Sequence, residues 1–382
     1  MDSDARVTVI TCAPNFPKGQ VFEGYKNKFW QVEHLSGIRV IRVWTYMAPN
    51  EGVVRRILDY LSFMFAAVLA SIFVRKVDLV VGTSPQFFTV CASYIVGTLK
   101  SVPWIFELRD MWPDSISSVD AMQSKMALRI LVRIEEFLYS RASAIVVVTN
   151  SFKDDLVSRG VAPHKIFVVK NGVDTAVFNA EISCSNIPER FGLRGKFVVG
   201  YLGTIGMAHG LEILIDAAAK MQESEGFEAV HVLIIGEGAL KDEVRQQIND
   251  RKLQNISLCS GIEKEEVPAH LALMDAGVVH LKKSAVFDSV IPSKIFEYMS
   301  MGVPILHCVP GESAEIVVDG KAGLFVPPED PEGLVGAIKR IYSDSKLRNE
   351  LGANGIVVSR DYDRRKLASE MLRVCYQVAA RY

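Results

Sequence analysis

Short apolar runs alternate with amphipathic, helix-length segments along most of the chain. The first half contains the runs RVTVITCAP, IRVIRVWTY, VDLVVGTSP, WIFELRD, AIVVVTNS and IFVVKNG. The second half contains FVVGYLGTIG, VHVLIIGEG, ISLCSG, AGVVHL, VPILHCVPG and AGLFVPP. Several are apolar at every position, which is typical of strands buried on both faces of a parallel sheet. Helical patterns lie between them, at 53–74, 124–140, 210–222, 237–249, 331–343 and 364–381. This alternation predicts an α/β fold with doubly wound parallel sheets.

The strand–helix series restarts once, which predicts two Rossmann-like domains. The segment 179–195 has no strong period and contains Pro188, so we interpret it as the linker between the domains. We assign residues 1–178 to the first domain and 192–363 to the second, and we expect the last helix, 364–382, to pack back on the first. Open α/β sheets bind ligands at the carboxyl ends of their strands, so the functional side chains are expected in the cleft.

Composition and charge exclude several classes of function. The chain has 382 residues, of which 49% are hydrophobic, and a net charge of −1 gives no positive field for nucleic acid. Its six cysteines form no CxxC pair and its seven histidines no HxxxH spacing, so we predict reduced thiols and no structural zinc. The N-terminus does not resemble a signal peptide, and the longest apolar stretch, 61–74, is shorter than the ~20 residues of a membrane span. These features predict a cytoplasmic protein.

The stretch SVIPSKIFEYMSMGVPIL, residues 289–306, places a lysine in the first turn of a short predicted helix. Ser293 is the expected N-cap, Gly302 the expected end, and Lys294 and Glu297 share one face. A lysine beside the positive end of a helix is unfavourable unless an anionic ligand binds there. A nucleoside diphosphate fits, with the ammonium on phosphate and the carboxylate on ribose. The alternative is an exposed i, i+3 ion pair of little energetic value.

The segment VVGYLGTIGMAHGLEILIDAA predicts a strand, a glycine-rich turn and a helix that begins near His209 and Gly210. Gly203 and Gly206 allow close backbone approach, and free amides at such a turn bind phosphate. Because the pattern is not a complete GxGxxG, a tight turn without a ligand is an equal alternative. Glu237, at the end of the following strand, also leaves a dinucleotide site open.

Several motifs in a fixed order carry a resemblance over nearly the whole chain. They are TSPQFF, FELRDMWPDSI, VVVTNSF and VVKNGVD in the first half, and HGLEILIDAA, LIIGEGALKDEV, SGIEKEEVPAHLALMDAGVVHL, PSKIFEYMSMGVPIL and AGLFVPPEDPEGLVGAI in the second. Together they resemble glycosyltransferase family 4, whose GT-B fold has two Rossmann-like domains facing a cleft. Within that family, the chain is most similar to bacterial surface-polysaccharide enzymes such as N-acetylfucosaminyl transferases.

The resemblance implies roles for individual residues. Lys294 and Glu297 correspond to the diphosphate and ribose contacts, and Asp110 to a polar group near the anomeric carbon. The other implied donor-site residues are Gly203, Thr204, Gly206, His209, Gly210, Glu237, Ile262, Ser289 and Ser293. The implied acceptor-site residues are Ser84, Gln86 and Arg109. For Arg109 and Asp110, the alternative is a buried ion pair that only fixes the loop.

The chain departs from the family pattern in three places. Where the family carries a second glutamate, eight residues before Glu297, this chain has Ser289 with Asp288 beside it. Thr204 and His209 stand near the places of the arginine and lysine of the phosphate loop, and His209 is expected either to donate to phosphate or to cap the helix. The family's first strand–loop–helix unit, of about 30–40 residues, has no counterpart before VTVITCAPNFP. We therefore expect a first domain that is short by one βα unit.

Two further features concern membranes and metals. Basic residues flank the helical pattern at 53–74, which is expected to pack inside the first domain or to lie at a membrane surface. The segment PNFPKGQVFEGYKNKFW adds side chains that could contact lipid or acceptor phosphate: Lys18, Phe22, Lys26, Lys28, Phe29 and Trp30. Neither DSD at 2–4 nor DYD at 361–363 follows a cleft-facing strand, so no metal site and no cofactor are predicted.

The sequence therefore predicts a nucleotide-sugar-dependent glycosyltransferase, metal-independent and, by the resemblance, retaining. The expected donor is a UDP-sugar. The expected acceptor is a polyprenyl-diphosphate-linked saccharide of polysaccharide or O-antigen (lipopolysaccharide) assembly, at the inner face of the cytoplasmic membrane. The alternatives are a GT-B nucleotide-sugar epimerase, which needs no acceptor, and a truncated protein that binds nucleotide sugar without transferring it. A dehydrogenase is a weaker alternative.

Overall fold

The computed structural model describes residues 5–15, 19–47, 53–111, 125–184 and 191–382. The strands of the first domain are β1 (Thr8–Thr11), β2 (Trp30–Leu35), β3 (Ile38–Val43), β4 (Val80–Thr83), β5 (Trp104–Leu108), β6 (Ala144–Val147) and β7 (Ile166–Val168). Its helices are α1 (Val53–Ile72), α2 (Phe87–Lys100), α3 (Lys125–Arg141) and α4 (Asn150–Ser158).

The strands of the first domain form two sheets rather than one. In the first sheet, of order β1-β3-β2, β1 is parallel to β3 and β2 is antiparallel to it. The second sheet is parallel throughout, in the order β4-β5-β6-β7. Helix α1 packs on β1 and β3 and against α2, which covers β4. Within the described residues, β1 and β4 each have one edge with no paired strand.

The second domain continues the chain with a single larger sheet. Its strands are β8 (Phe197–Leu202), β9 (Val230–Ile235), β10 (Ile256–Cys259), β11 (Ala276–His280), β12 (Ile305–Cys308) and β13 (Gly323–Phe325). Its helices are α5 (Glu212–Gln222), α6 (Lys241–Asp250), α7 (Val267–Leu271), α8 (Ala285–Asp288), α9 (Lys294–Ser300), α10 (Glu312–Asp319), α11 (Pro331–Ser343) and α12 (Ser345–Ser359). These strands are all parallel, in the order β10-β9-β8-β11-β12-β13.

Helices cover both faces of this sheet, which explains why its strands are apolar throughout. In β8, Val199 and Tyr201 belong to the core on one face, whereas Val198 belongs to the core on the other. The second core includes three fully buried side chains of α9, namely Ile295, Phe296 and Met299. These apolar contacts hold α9 against the sheet and thereby fix the position of Lys294 at its first residue.

The chain crosses between the domains twice, at neighbouring places. The amide of Val173 donates to the carbonyl of Tyr362 at 3.0 Å, and the amide of Arg364 donates back to Val173 at 2.8 Å. The last helix, α13 (Arg364–Ala379), then returns to the first domain. There Val374 and Val378 pack against Ile105, Ala144 and Val146.

Most of the predicted elements are present. The twelve apolar runs correspond to β1 and β3–β13, and the six helical patterns to α1, α3, α5, α6, α11 and α13. β2 was not predicted, because none of its side chains is fully buried and its sequence contains no apolar run. Residues 2–4, Lys18 and Pro188 lie outside the described residues. Among the described helices, none is long and apolar enough to cross a membrane.

Candidate functional site

The strand order of the second domain creates a crevice at the carboxyl ends of β8 and β11. The chain proceeds from β8 outward to β9 and β10, and then returns to β11 on the other side of β8. The connections after β8 and β11 therefore leave in opposite directions, and open α/β sheets bind ligands at such a switch point. The amide of Lys282 donates to the carbonyl of Ala208 at 2.9 Å, which joins the two loops. Most of the predicted donor residues lie around this crevice.

Helix α9 places Lys294 beneath the turn that follows β8. Its Nζ lies 3.8 Å from the centroid of the Tyr201 ring. Nζ is buried and has no hydrogen-bond partner among the described residues. Burial lowers the pKa of Lys294 to about 7, an effect that Glu297 opposes. A buried ammonium without hydrogen bonds is costly in the free protein, and an approaching anion would stabilise its charged form.

A second buried nitrogen, Nδ1 of His209, lies beside the same turn. It also lacks a hydrogen-bond partner within the described part of the chain, and the imidazole meets the Tyr201 ring edge-on, with 6.3 Å between centroids. Burial, with a smaller contribution from Lys294, lowers the pKa of His209 to about 4, against the opposing effect of a weak contact with the Gly206 backbone, so its ring is neutral at physiological pH. Lys294 and His209, each with an unpartnered nitrogen, thus both lie next to Tyr201.

Backbone contacts hold this part of the crevice in place. His280 Nδ1 donates to the carbonyl of His209 at 2.7 Å, and His280 Nε2 accepts from the amide of Glu329 at 3.1 Å. A carbonyl can only accept and an amide can only donate, so these bonds fix His280 as the neutral Nδ1–H tautomer. Gly210 has a φ of +51°, and a Cβ there would lie 2.8 Å from the His280 ring. The close approach of His280 therefore requires glycine at this position.

The glycine turn itself is built on Tyr201. The phenol donates to the carbonyl of Thr204 at 2.7 Å, and a Cβ on Gly203 would stand 2.8 Å from Lys294 Nζ. Gly206, in contrast, has ordinary room for a Cβ, with its nearest neighbour at 3.5 Å.

The structure also corrects the predicted start of the following helix, because α5 begins at Glu212 and no side chain caps it. The predicted capping role of His209 is therefore wrong.

Glu297 lies one turn after Lys294, with its carboxyl half-buried. Burial raises the pKa of Glu297, whereas Lys294, Arg364 and Lys264 lower it. The carboxylate makes no hydrogen bond and no ion pair within 4.0 Å to the described residues, so the surface ion pair that was the alternative for this motif does not form. Helix α9 has only seven residues, so the positive charge beside Glu297 comes chiefly from the lysine rather than from a helix dipole.

Two serines lie shortly before Lys294. Ser293 is the N-cap residue of α9, as predicted, although its backbone angles are helical and its side chain forms no capping hydrogen bond. Its exposed side chain is left available to a ligand. The hydroxyl of Ser289 donates to the carbonyl of Val286 at 2.8 Å. Ser289 therefore stabilises the end of α8 in the free protein.

Glu237 and Ile262 lie on adjoining loops at the same edge of the sheet. Oε1 of Glu237 accepts from Lys241 Nζ at 2.8 Å and from the amide of Gly261 at 3.1 Å. Glu237 therefore organises the loop that carries Ile262, which is half-buried against the core. Because this carboxylate is engaged by Lys241, it is less available to a ribose than Glu297 is.

The predicted residues of the first domain gather at the carboxyl ends of β4 and β5. The hydroxyl of buried Ser84 accepts from the amide of Arg109 at 2.9 Å, and Gln86 caps α2 through a 3.0 Å hydrogen bond from Thr89. The guanidinium of Arg109 donates to Asn171 at 2.8 Å and lies 3.9 Å from Glu107. Asp110, half-buried, is the next residue on this loop. These side chains line the first-domain edge, and Ser84 and Gln86 also have structural roles there.

Sequence patterns missed several residues of the site. Tyr201 and His280 lie within apolar strands, where they resemble ordinary core positions, and their contacts with Lys294 and His209 depend on strand order. Glu312 was also missed, although a buried carboxylate after a strand could have been suspected. Within the described ranges, the structure gathers no group of three or more histidine, cysteine, aspartate or glutamate side chains that could hold a metal ion.

Comparisons with known proteins agree with this architecture. Residues 2–172 match the model of the glycosyl transferase 4-like domain, and residues 185–358 match that of glycosyl transferases group 1. The chain is 23% identical to WcaI of Escherichia coli K12, named as a glycosyl transferase of colanic acid biosynthesis, over 90% of this chain and 89% of that protein. It is 25% identical to the glycosyltransferase WbjE of Pseudomonas aeruginosa, over 73% and 70% of the two chains.

A solved structure shows the same fold. The structure of Anabaena HepE in complex with UDP-glucose superposes with a TM-score of 0.71, covering 89% of this chain and 86% of that one. The sequence identity is 18%, so the likeness concerns the arrangement of the two domains.

Proposed function

Since this chain belongs to the glycosyltransferases of the GT-B fold, with a 4-like domain followed by a group 1 domain, we propose that it transfers a sugar from a UDP-sugar to a lipid-linked saccharide in surface-polysaccharide biosynthesis. The two curated relatives WcaI and WbjE are named as glycosyltransferases, the first of colanic acid biosynthesis. The UDP-glucose bound to the structurally similar HepE supports uridine as the base.

The observation that carries the proposal is the pair of unpartnered nitrogens in the second-domain crevice. Lys294 Nζ and His209 Nδ1 are both buried without a hydrogen bond to described residues, on either side of the turn at 203–206. Buried polar groups of native proteins are almost always paired, so two such groups at a switch point indicate a ligand. A diphosphate supplies the negative charge and the acceptor oxygens that both groups lack. The neutral His209 would donate a hydrogen bond, and Lys294 a full charge.

In this proposal, one residue serves each part of the donor. Glu297, whose carboxylate is not engaged by a described hydrogen-bond donor, accepts from the ribose hydroxyls. Ile262 contacts the base, and Ser289 and Ser293 lie before α9 on the side of the sugar. Transfer breaks the bond between the anomeric carbon and the diphosphate oxygen, whose electron pair leaves with UDP. The acceptor hydroxyl oxygen bonds to that carbon, and its proton passes to an oxygen of the departing diphosphate. Lys294 stabilises the departing charge in the role that a metal ion has in other enzymes, and Asp110 positions the acceptor.

A thermal-shift panel of UDP-, GDP-, dTDP- and ADP-sugars tests the proposal directly. We expect a UDP-sugar to raise the melting temperature, because a ligand that binds only the folded state stabilises it. If none of the panel raises it, the donor site is misassigned. Incubation with donor alone separates the epimerase alternative, which would convert the sugar without an acceptor. A non-catalytic protein would bind the donor but release no UDP when the acceptor is added.

The variant Glu297→Gln is expected to weaken UDP binding about tenfold. A hydrogen bond to a charged acceptor contributes roughly 1.5–3 kcal/mol, and glutamine retains the shape but not the charge. Isothermal titration with UDP measures the change. The control is Glu225→Gln, an exposed glutamate on the loop after α5 whose affinity change should stay within about twofold, as for other surface substitutions. Equal affinity of the Glu297→Gln variant and the unmodified protein would remove Glu297 from the ribose site.

We also propose that the first domain binds the surface of the membrane that carries the acceptor. One stripe of α1 and the residue following it exposes large apolar side chains, with Phe65, Leu69 and Phe73 between 61% and 69% exposed. Trp30 stacks edge-on against Phe73 at 5.6 Å. Exposed basic residues lie at both ends of α1, at Arg55 and at Arg75 and Lys76. An apolar stripe with basic ends is typical of helices that lie in a lipid interface with anionic headgroups.

The double variant Phe65→Ser/Leu69→Ser is expected to bind anionic vesicles at least tenfold more weakly. Partial burial of each side chain contributes about 1 kcal/mol, so removing both lowers the partition coefficient by roughly one to two powers of ten. Co-sedimentation with phosphatidylglycerol vesicles measures it. The control Val357→Ser changes a side chain of similar exposure, 61%, in the second domain. The proposal is wrong if the double variant and the control bind equally.

A further inference from the structure

One carboxylate of the second domain is bound entirely by the first. Glu312, the first residue of α10, is only 8% exposed. Its Oε2 accepts from the amides of Asn150 at 2.7 Å and Ser151 at 3.4 Å. Its Oε1 accepts from Asn150 Nδ2 at 2.9 Å and forms an ion pair with Lys170 Nζ at 2.7 Å. We call these four groups the Glu312 clasp.

The clasp uses donors that the first domain leaves free. Thr149 caps its own helix, α4, by accepting from the amide of Phe152 at 3.0 Å. The amides of Asn150 and Ser151, at the start of the same helix, remain without an intrahelical acceptor. A glutamate in the first turn of a helix normally stabilises that helix's own amides. Glu312 instead crosses between the domains, which makes it a link between them rather than a cap of α10.

The same segment of chain is tied to the loop that leads to Lys294. Gly311, which precedes the clasp residue, has a φ of +77°, and a Cβ there would lie 2.1 Å from the carbonyl oxygen of Asp288. The backbone at 311 is therefore pressed against the end of α8, and only five residues separate Asp288 from Lys294. Gly311, Glu312 and Asp288 belong to the same domain, so the closed clasp holds this contact, and the loop after α8, at a fixed distance from the first domain. The clasp thus connects domain position to the donor side of the crevice.

From these contacts we propose that Glu312 is a positioning residue that holds the cleft closed and sets the loop at 288–293 for transfer. The clasp favours two states over intermediate ones. When the cleft is closed, the carboxylate has four hydrogen-bond or ion-pair partners, and when the cleft is open, the carboxylate and Lys170 are hydrated. A partly open cleft would leave a desolvated charge unpaired, which costs the most free energy. The part of this inference that concerns transfer rests on the proposed function, whereas the closure itself does not.

The variant Glu312→Gln tests the closure without reference to any sugar. Glutamine has one acceptor oxygen where the carboxylate has two, so its NH2 group faces a donor of the clasp on one side. We expect amide hydrogen exchange in a peptide spanning 148–153 to accelerate about tenfold, because a charge-assisted hydrogen-bond network is lost. We also expect the radius of gyration from small-angle scattering to increase. Glu315→Gln, an exposed glutamate of the same helix, is the matched control and should change neither. Unchanged exchange and unchanged radius in Glu312→Gln would overturn the proposal.

A double-mutant cycle with Lys170→Met tests the pairing. If Glu312 acts through Lys170, the double variant should exchange little faster than the more affected single variant, whereas additive effects would separate the two residues. For transfer, measured with the UDP-sugar that best stabilises the protein, we expect kcat to fall about tenfold and the KM for donor to change less than about twofold. A proportional rise in KM with constant kcat would contradict a positioning role. If the clasp responds as expected but no UDP-sugar binds, closure stands and the proposed function fails.

Discussion

Replacing Lys294 by methionine is expected to stabilise the free protein and, at the same time, to remove most of its affinity for UDP-sugars. Methionine has a similar length and fits the space above the Tyr201 ring without a charge. The stability of the free protein should rise because a buried ammonium without hydrogen bonds is removed. The affinity should fall because the same group supplies the charge for the diphosphate. A residue that only supports the fold would not move the two quantities in opposite directions.

The size of the stability change follows from the depressed pKa. Burial lowers the pKa of Lys294 from 10.5 to about 7, and each unit corresponds to about 1.4 kcal/mol. The face of the Tyr201 ring returns part of this penalty, about 1–2 kcal/mol, so we expect a net gain of about 3 kcal/mol in the free energy of unfolding at pH 7. The folded pKa lies below the unfolded one, so the penalty is absent above pH 10.5, grows as the pH falls toward 7 and is constant below. The advantage of the variant should follow the same course.

The affinity change should be larger. Truncating one partner of a buried charge pair costs about 2–5 kcal/mol, which is roughly a 30-fold to 5000-fold loss. Urea unfolding measures stability and isothermal titration measures UDP-sugar binding on the same preparations. Lys339→Met, an exposed lysine on α11, is the control and should change neither quantity much. A Lys294→Met variant that loses stability and retains affinity would show that the ammonium is structural.

Binding of a UDP-sugar is expected to take up a proton above pH 7. Lys294 is partly or wholly neutral there in the free protein, and the diphosphate favours its charged form, so the bound pKa lies above the free one. Because the pKa of Lys294 is higher in the complex than in the free protein, the affinity for a UDP-sugar is constant below pH 7. Above pH 7 the affinity falls by up to about tenfold per pH unit. His209, with a pKa of about 4, stays neutral across this range. Tyr201, whose ring faces the ammonium, has a pKa that burial raises above its usual value, so its hydroxyl stays protonated in this pH range.

Titration calorimetry in buffers of different ionisation enthalpy counts the protons directly. A UDP-sugar is the suitable probe, because both of its phosphates are diesters and lack the second ionisation near pH 6 that a terminal phosphate shows. Between pH 7 and 8.5 we expect proton uptake that rises toward one per site. In Lys294→Met the uptake should vanish, whereas in Glu297→Gln it should persist, since the carboxyl is not its source. Uptake that survives in Lys294→Met would assign the proton to another group.

The sequence alone determined the fold class, most of the elements and the position of Lys294. Burial on both faces of a parallel sheet makes a strand apolar throughout, and that property is local, so β8 to β13 were visible as runs. The predicted α9 was equally local, because Ile295, Phe296 and Met299 had to face the core while Lys294 stood in the first turn. The strand β2 was missed because it has no buried face and therefore contains no apolar run in the sequence.

The tertiary structure alone decided how these parts meet. The sequence places Lys294 93 residues after Tyr201, but only the order of β8 and β11 brings the ammonium over the ring and leaves it without a hydrogen bond. The Glu312 clasp joins residues 162 positions apart, across two domains. The periodicity of apolar residues cannot predict such contacts, because they depend on how the sheets are placed relative to one another. Periodicity shows only which face of a helix or strand is buried. The chemistry of the crevice is therefore a consequence of packing, even though the residues that perform it stand in recognisable local patterns.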